Sequence, residues 1–287
     1  MPSMAAPAVL SIRPAMKEDR SKLANLLHFE TYVHRHLDWR RPLDWLGRDP
    51  YFVLESGERL NAALACPPDP PGVAWVRIFA VATRLDPAEA WATLWPQTRE
   101  RLVELEAEAV AAIPLQDWFL KILAKSRFQH AHNVVVLDWR AENKAKANTG
   151  SLATIRRMEE KDLDAVYEVD RAAFAPLWQN SLEAVKMAFD QSGYATLIAI
   201  EDKTAAYQIS TRSSQGLHLA RLATSPDFQG RGLATELVKD IQIQARRNQD
   251  RLTVNTQDIN TPSLALYKKL GFEYTGERFP VYEYQLA

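Results

Sequence analysis

The 287-residue chain has little of what marks several classes of protein. It has one cysteine, Cys66, so it cannot form an internal disulfide. Its 35 Lys and Arg residues balance 36 Asp and Glu residues, without the basic excess of a nucleic-acid-binding domain. Its longest apolar stretch, residues 73–82, is interrupted by Arg77 and is too short to span a bilayer. We therefore expect no nucleic-acid partner and no association with a membrane.

The sequence also lacks a signal peptide pattern at its amino-terminal residues and a metal-ligand pattern around its histidines. The first ten residues carry no basic segment before their short apolar run, which argues against a signal peptide and predicts a cytoplasmic protein. His28, His34 and His36 lie close in sequence, but no carboxylate or cysteine completes a recognisable ligand spacing, so we expect no metal site. At 47% hydrophobic and 25% charged residues, the chain has the composition of a globular protein long enough for two domains.

A repeated pattern divides the chain into two halves. The segment around Ile12 resembles the segment around Ile155, 143 positions later (155 − 12), and each leads into an amphipathic stretch. Residues 123–128 resemble residues 267–272, with Phe128 and Phe272 separated by 144 positions (272 − 128). Two distant matches with nearly the same offset indicate a duplication. We predict domains at 10–145 and 152–287, joined through the polar run 142–151.

The second half has an alternating order of strands and helices. The apolar periodicity and the turn residues predict strands at 153–156, 195–201, 205–212, 217–224, 252–257 and 279–285, and helices at 161–173, 181–191, 233–248 and 262–270. Such an order predicts an α/β fold with a mixed sheet and flanking helices.

A loop with two glycines, Gly230 and Gly232, precedes one of these helices. The first amides of a helix have no intrahelical acceptors and carry the positive end of the helix dipole. Glycines leave these amides open to a diphosphate, and Arg231 adds a cation. A dinucleotide fingerprint needs a third glycine where Thr235 stands, and the Lys-Ser/Thr pair of a phosphate-loop NTPase is absent. A simple turn at a helix start is the remaining alternative to a phosphate-binding loop.

Two motifs around this loop resemble the GNAT superfamily of acyl-CoA-dependent N-acyltransferases. Its cofactor loop reads Gln/Arg-x-x-Gly-x-Gly/Ala after a strand and a proline, and Gln229, Gly232 and Ala234 fill these places. Residues 260–272 resemble the family segment Asn-x-x-Ala-x-x-Leu-Tyr-x-Lys-x-Gly-Phe, with Ser263 as the one departure. The resemblance implies two tandem acyl-CoA N-acyltransferase-like domains, of which the second keeps both motifs.

The resemblance also implies which residues bind coenzyme A. Backbone groups of the strand before the loop contact the pantetheine arm, one of its amides stabilises the oxyanion, and the loop and helix start bind the phosphates. The implied cofactor-binding residues are Leu222, Ala223, Thr224, Gln229, Gly230, Arg231, Gly232, Leu233, Ala234, Thr235, Asn260, Ser263 and Tyr267.

Tyr267 matches the family position that protonates the leaving thiolate, although a helix residue that packs on the sheet is the plainer alternative. The general base has several candidates. Asn255 stands where ribosomal-protein alanine acetyltransferases carry glutamate, and an amide cannot act as a base. His218 has a suitable intrinsic pKa, but it could also be an ordinary surface residue. Asp258, Glu168 and Asp170 are weaker candidates, and a relay through water is a further one.

The acceptor pocket is expected between the first two helices of the second half and the carboxyl-terminal segment. Phe174, Trp178 and Tyr282 are the candidate substrate-binding residues, with core packing as the alternative. In the first half, Leu123 aligns with Tyr267, and residues 83–90 have two carboxylates and no glycine where the loop belongs. We therefore expect the first half to have lost coenzyme A binding.

These observations predict an N-acetyltransferase that moves an acetyl group from acetyl-CoA to a primary amine of a small molecule or a peptide N-terminus. A catalytically silent coenzyme A-binding sensor or scaffold is the alternative, because the glutamates that family members use are missing at Ala220 and Asn255. A longer acyl donor also fits. A fused second domain can replace a dimer partner, so both a monomer and a homodimer are compatible with the sequence.

Overall fold

The computed structural model describes residues 10–142, 154–247 and 249–286. The chain forms two compact units, one containing the residues up to Ala131 together with Val281–Ala287, and the other containing His132–Pro280. We call these unit 1 and unit 2. Within the described ranges, no helix is long and apolar enough to cross a membrane.

The compact units differ from the predicted domains 10–145 and 152–287 because two strands each contribute to both units. Residues from His132 onward pair within unit 2, and residues from Val281 onward pair within unit 1. Residues 143–151 of the predicted joint lie outside the described residues. The division of the sequence by its repeat stays a prediction.

Unit 1 has a five-stranded antiparallel sheet in the order β1-β3-β4-β6-β2. Beside it, β5 pairs in parallel with β7, which pairs with residues 282–285. The elements are β1 (Ser11–Pro14), α1 (Arg20–Phe29), β2 (Tyr32–Arg35), β3 (Tyr51–Ser56), β4 (Arg59–Ala65), β5 (Val73–Trp75), β6 (Ile78–Val81), α2 (Pro87–Glu104), β7 (Ala109–Ala112), α3 (Asp117–Lys125) and the start of β8 (Gln129–Arg140).

Unit 2 has a mixed sheet in the order β8-β13-β12-β11-β10-β9, in which only the β12–β13 pair is parallel. The elements are β9 (Ile155–Arg157), α4 (Leu163–Ala173), α5 (Leu182–Asp190), β10 (Tyr194–Ile200), β11 (Lys203–Ser213), β12 (Gly216–Thr224), α6 (Leu233–Ala245), β13 (Arg251–Gln257), α7 (Thr261–Lys269) and β14 (Glu273–Gln285). The predicted mixed α/β fold is confirmed, and only β14 begins well before its predicted start.

The two units begin with the same local structure. In unit 1 the Arg13 guanidinium lies 2.6 Å from the Asp19 carboxylate, and in unit 2 Arg156 lies 2.7 Å from Asp162. Each aspartate also accepts the backbone amide three residues before it, at 2.8 Å in both units. Each ion pair therefore ties the first strand to the turn that starts the first helix, as the repeated sequence pattern suggested.

Helices α4 and α6 cover opposite faces of the sheet in unit 2. The side chain of Ala206 packs with Leu233 and Leu237 of α6. The hydroxyl of the next residue, Tyr207, donates to Asp170 of α4. Successive side chains of a strand point to opposite faces, so one face carries α6 and the other carries α4.

Candidate active site

Strands β12 and β13 diverge in the middle of the sheet of unit 2. Their parallel pairing covers Leu217–Leu219 on β12 and ends at Val254 on β13. Beyond that point β13 continues against β8, with Asn255 opposite Val136, and β12 continues against β11. Among the described residues, the β13-facing edge of residues 220–224 therefore has no strand partner, and an extended ligand can pair with it.

A β-bulge lies on β12 where the strands diverge. Arg221 pairs with Ile209, and Leu219 pairs with Ser210, so Ala220 is the extra residue on β12. One extra residue reverses the alternation of side chains beyond it. Leu219 packs with the α6 side of the core, whereas Arg221 turns to α4 and contacts Asp170. Bulges often re-aim side chains next to active sites, and this one separates the paired half of β12 from its open half.

The predicted glycine loop ends in an open helix start. Gly232 is the N-cap of α6 in the left-handed conformation, with φ of 80°, and no side chain caps the helix. Gly230 also has positive φ, at 75°. No atom lies within 4 Å of the position that a Cβ would take at either glycine. The backbone conformation therefore favours glycine, and the space above the first amides of α6 is open.

The residues around this loop place a cation and polar groups beside it. The Gln229 amide donates to the carbonyl of Thr224 at 3.3 Å, which holds the loop against the end of β12. The exposed Arg231 guanidinium lies 5.1 Å from the ring of Phe228. The hydroxyl of Thr224 is buried and has no hydrogen-bond partner among the described residues. An open strand edge, an unused hydroxyl and an open helix start suit an extended chain that ends in a diphosphate.

Asn260 caps α7. Its side-chain oxygen accepts the amide of Ser263 at 3.2 Å, and its nitrogen lies 3.4 Å from the side-chain oxygen of Gln257. The sequence interpretation assigned Asn260 to the pantetheine arm and did not foresee the cap. Its capping position explains why an asparagine stands there without any ligand, because Asn is a favoured N-cap residue.

Tyr267 lies where the two strands diverge, on the α6 side of the sheet. Its side chain is 4% exposed and belongs to the same core cluster as Leu219 and Val254, the last paired residues of the two strands. No described residue is hydrogen-bonded to its hydroxyl, although its ring packs against Phe272 at 5.3 Å. Burial raises the pKa of Tyr267 above its ordinary value, so the phenol keeps its proton at neutral pH. The hydroxyl can donate that proton to an anion that forms nearby.

His218, the predicted base, lies on the opposite face of β12 from its neighbours Leu217 and Leu219. Its Nδ1 is 2.9 Å from the hydroxyl of Thr253 in the closed part of the sheet. Burial lowers the pKa of His218, which favours the neutral ring. A neutral imidazole can accept a proton, but His218 precedes the bulge and lies in the paired part of β12.

The weaker carboxylate candidates have partners of their own. Asp258 accepts the backbone amide and the side-chain amide of Asn133 at 3.0 and 2.7 Å, and the side-chain bond is the main cause of its lowered pKa. Asp170 accepts the guanidinium of Arg221. Glu168 lies in an exposed pair with Arg171. Asp258 and Asp170 are thus held by strong partners, whereas the pair of Glu168 is solvent-exposed and weak.

Two predicted acceptor residues lie together on the α4 side of unit 2. The Phe174 ring stacks on the Arg221 guanidinium at 3.5 Å, and the Trp178 carbonyl accepts from the same group at 2.6 Å. The Trp178 ring also lies 5.6 Å from that of His132, a residue that the sequence interpretation missed. Tyr282 belongs to unit 1, where it pairs with Ala112, so its predicted substrate role stays a prediction.

Unit 1 has a closed helix start at the place that corresponds to the glycine loop. Asp86 caps α2, and its carboxylate accepts the amides of Ala88 and Glu89 at 2.8 and 3.1 Å. At the position aligned with Tyr267, Leu123 is fully buried in the core. A carboxylate thus occupies the amides that a phosphate would need, and no hydroxyl is available at the second position.

Two of the clustered histidines of unit 1, His34 and His36, are parts of its packing. His34 is fully buried, with Nε2 3.1 Å from the carbonyl of Val76, and His36 stacks on Trp75 at 4.6 Å. Among the residues the structure describes, no group of three or more His, Cys, Asp or Glu side chains could hold a metal ion.

Comparisons with known proteins agree with this geometry. Residues 159–282 match the family model of the acetyltransferase (GNAT) domain. A putative ribosomal protein bS18 alanine N-acetyltransferase of Bacillus subtilis is 23% identical over 127 residues, which cover 44% of this chain and 84% of that protein. The ribosomal protein bS18 alanine N-acetyltransferase of Salmonella typhimurium is 29% identical over 123 residues, 42% of this chain and 80% of that protein.

The fold of the whole chain is also found among solved structures. A tandem GNAT protein from the clavulanic acid biosynthesis pathway superposes with a TM-score of 0.62 at 16% identity, covering 97% of this chain and 99% of that one. The family match covers the open strand edge, the glycine loop and Tyr267 in unit 2. Residues 159–282 therefore match the acetyltransferase (GNAT) domain, and the whole chain has the fold of a tandem GNAT protein.

Proposed function

We propose that the chain transfers an acetyl group from acetyl-CoA to the amino group of a peptide N-terminus, at a site in unit 2. The proposal rests on one continuous feature of unit 2, an open strand edge followed by an open helix start. The unpaired edge of residues 220–224 leads directly to the open, glycine-capped start of α6. Members of this family use an acyl-CoA donor, whose pantetheine arm and pyrophosphate match these two parts in kind and order.

Each part of the feature has a distinct role in binding the donor. The backbone of Leu222, Ala223 and Thr224 pairs with the amides of the pantetheine arm, and the Thr224 hydroxyl gains a partner there. The amides of residues 230–235, with Arg231 as the cation, bind the pyrophosphate. The bound donor supplies an acyl thioester.

The chemical step needs two groups of the chain beside the thioester. A backbone amide of β12 after the bulge donates to the oxygen that gains charge when the amine attacks. The Tyr267 hydroxyl protonates the leaving thiolate, and its raised pKa ensures that the proton is present at neutral pH. The rate contribution of such a general acid is about a hundredfold or more.

The acceptor amine approaches from the α4 side, where Phe174 and Trp178 lie. A peptide N-terminus is favoured over a small-molecule amine because the two bacterial relatives are, by name, N-acetyltransferases of an alanine in a ribosomal protein. The amine loses its proton through water, because the carboxylates of Asp258 and Asp170 are bound elsewhere. His218, which is neutral and buried, can accept that proton through such a relay.

A second function, a coenzyme A-binding sensor without turnover, has one observation in its favour. The exposed residue at the family's glutamate position is Asn255, which cannot take a proton. In this alternative the donor site works as described, but no amine is acetylated.

Unit 1 is proposed to bind no coenzyme A. Its corresponding helix start is capped by Asp86, and the carboxylate that holds the amides also repels phosphate. We propose a structural role for unit 1. Residues 281–286, at the end of the second half of the sequence, belong to unit 1 and pack in its core.

The assay that tests the proposal follows free thiol and peptide mass together. The full chain is incubated with acetyl-CoA and a panel of peptides that differ in the first residue, beginning with alanine, alongside small amines. Thiol release that depends on the acceptor and a peptide acetylated at its amino terminus support the proposal. Tight acetyl-CoA binding without thiol release for every acceptor supports the sensor, and absence of binding contradicts both.

A further inference from the structure

The segment 174–180, which carries the acceptor-side residues, is fixed to β12 by one arginine. The Arg221 guanidinium donates twice to the Asp170 carboxylate, at 2.6 and 2.8 Å. It also donates to the Trp178 carbonyl at 2.6 Å and lies 3.5 Å from the centre of the Phe174 ring. One side chain therefore holds the end of α4 and both aromatic residues.

The carboxylate at the centre of this arrangement is fully buried. Asp170 accepts from Arg221, from the Tyr207 hydroxyl and from the backbone amide of Asn180 at 3.0 Å. The pair thus ties α4, β11, β12 and the far end of the segment together. A planar bidentate pair of this kind fixes geometry as well as charge, and a lysine cannot reproduce it.

The bulge gives Arg221 this position. If β12 kept its regular alternation through Ala220, Arg221 would point to the α6 face together with Leu219. The backbone of Arg221, directly after the bulge, therefore lies at the start of the open edge. Its side chain reaches the acceptor segment. The same residue connects the donor side of the site with the acceptor side.

We propose that Arg221 is a positioning residue that sets the acceptor segment 174–180 relative to the open edge of β12, and so sets the alignment of the amine with the thioester. The inference rests on the proposed function of unit 2. Loss of the bidentate Arg221–Asp170 pair does not change the glycine loop. The affinity for acetyl-CoA should therefore stay the same, while kcat/KM for the acceptor falls.

Unit 1 offers a matched control in Arg77, 144 positions before Arg221 (221 − 77). Arg77 also lies at a break in a strand, between β5 and β6, and its guanidinium donates to Asp38 at 2.9 Å and to the carbonyl of Asp69 at 3.1 Å. Its side chain is also buried, at 8% exposure. A substitution there disturbs a similar buried pair in unit 1, where Asp86 caps the helix start that corresponds to the glycine loop.

The test compares Arg221→Lys and Arg77→Lys in the full chain with an alanine-initiated peptide. Three quantities are measured: the acetyl-CoA dissociation constant by calorimetry, kcat and KM for the peptide, and hydrogen exchange of the backbone. For Arg221→Lys we expect an unchanged dissociation constant for acetyl-CoA and faster hydrogen exchange in residues 171–181. We expect kcat/KM for the peptide to fall about 10- to 100-fold. For Arg77→Lys we expect faster exchange in unit 1 and wild-type kinetics.

The outcomes separate the inference from the function on which it rests. A wild-type chain that acetylates the peptide while Arg221→Lys keeps wild-type kcat/KM overturns the inference alone. Equal kinetic losses in Arg221→Lys and Arg77→Lys also overturn it, because they show a general loss of stability. A wild-type chain that binds acetyl-CoA and acetylates no acceptor overturns the proposed function and the inference with it. Asp170→Asn should reproduce the kinetic pattern of Arg221→Lys, since it weakens the same pair from the other side.

Discussion

Substitution of Gly232 by glutamate should weaken coenzyme A binding strongly without unfolding unit 2. A residue with a Cβ at φ of 80° costs about 1–2 kcal/mol, because the left-handed conformation crowds the Cβ. No atom lies within 4 Å of the added Cβ, so no clash adds to this cost. For a unit of this size, a loss of 1 kcal/mol lowers Tm by only about 2–4 °C. The variant should therefore remain folded at room temperature.

The effect on the cofactor is larger than the effect on folding. The new carboxylate stands at the helix start, within a few ångströms of where the pyrophosphate lies in the proposed complex. One pair of unit charges at 4 Å repels by about 1 kcal/mol in water and about 4 kcal/mol near a protein surface. An intermediate value of about 3 kcal/mol weakens binding about a hundredfold.

Gly276 provides the matched control for this substitution. It lies on β14 in unit 2, has φ of 90°, and also has no atom within 4 Å of a built Cβ. Gly276→Glu thus adds the same side chain with similar backbone strain, away from α6. In calorimetric titration with acetyl-CoA, the dissociation constant should be larger for Gly232→Glu and unchanged for Gly276→Glu. Both variants should show similar drops in Tm. Equal acetyl-CoA affinity in the two variants would refute the placement of the pyrophosphate.

Three further predictions follow from the structure. Tyr267→Phe should keep the acetyl-CoA dissociation constant and lower kcat about a hundredfold, measured by thiol release, because only the proton donor is lost. Burial lowers the pKa of His34 from 6.5 to about 4, so the unfolded chain binds more protons than the folded chain between these values. About 3 kcal/mol of stability present at neutral pH should be lost as pH falls through this window, and thermal unfolding of His34→Gln should show a shallower loss. Deletion of residues 281–287 should raise hydrogen exchange throughout unit 1, since Tyr284 packs on Trp95 and Phe128 there; unchanged exchange would contradict the assignment of these residues to unit 1.

Much of unit 2 could be predicted because its signals are local. The helices α4 to α7 carry apolar periodicity, and the glycine loop needs only the properties of neighbouring residues to be recognised. Gly232 at positive φ and the open start of α6 agree with the interpretation of the loop as a phosphate site.

The features that were missed depend on pairing over long distances. The bulge at Ala220 exists only in the register of β12 against β11, and no local pattern marks it. Arg221 therefore looked like an ordinary strand residue, while its partner Asp170 lies 51 positions away. The first part of β14 was missed because residues 273–278 are exposed, polar and interrupted by a glycine, which is typical of a loop. The division of β8 and β14 between the units likewise depends on which strands pair.

The number of acetyl-CoA molecules bound by one chain tests the central claim most directly, namely that the fold occurs twice and the donor site once. Calorimetric titration of the full chain should give a stoichiometry of one, and the affinity for acetyl-CoA should fall about a hundredfold in Gly232→Glu and stay unchanged in Gly276→Glu. Two molecules per chain, or a single site with unchanged affinity in Gly232→Glu, would contradict the claim, because binding would then not depend on the open start of α6.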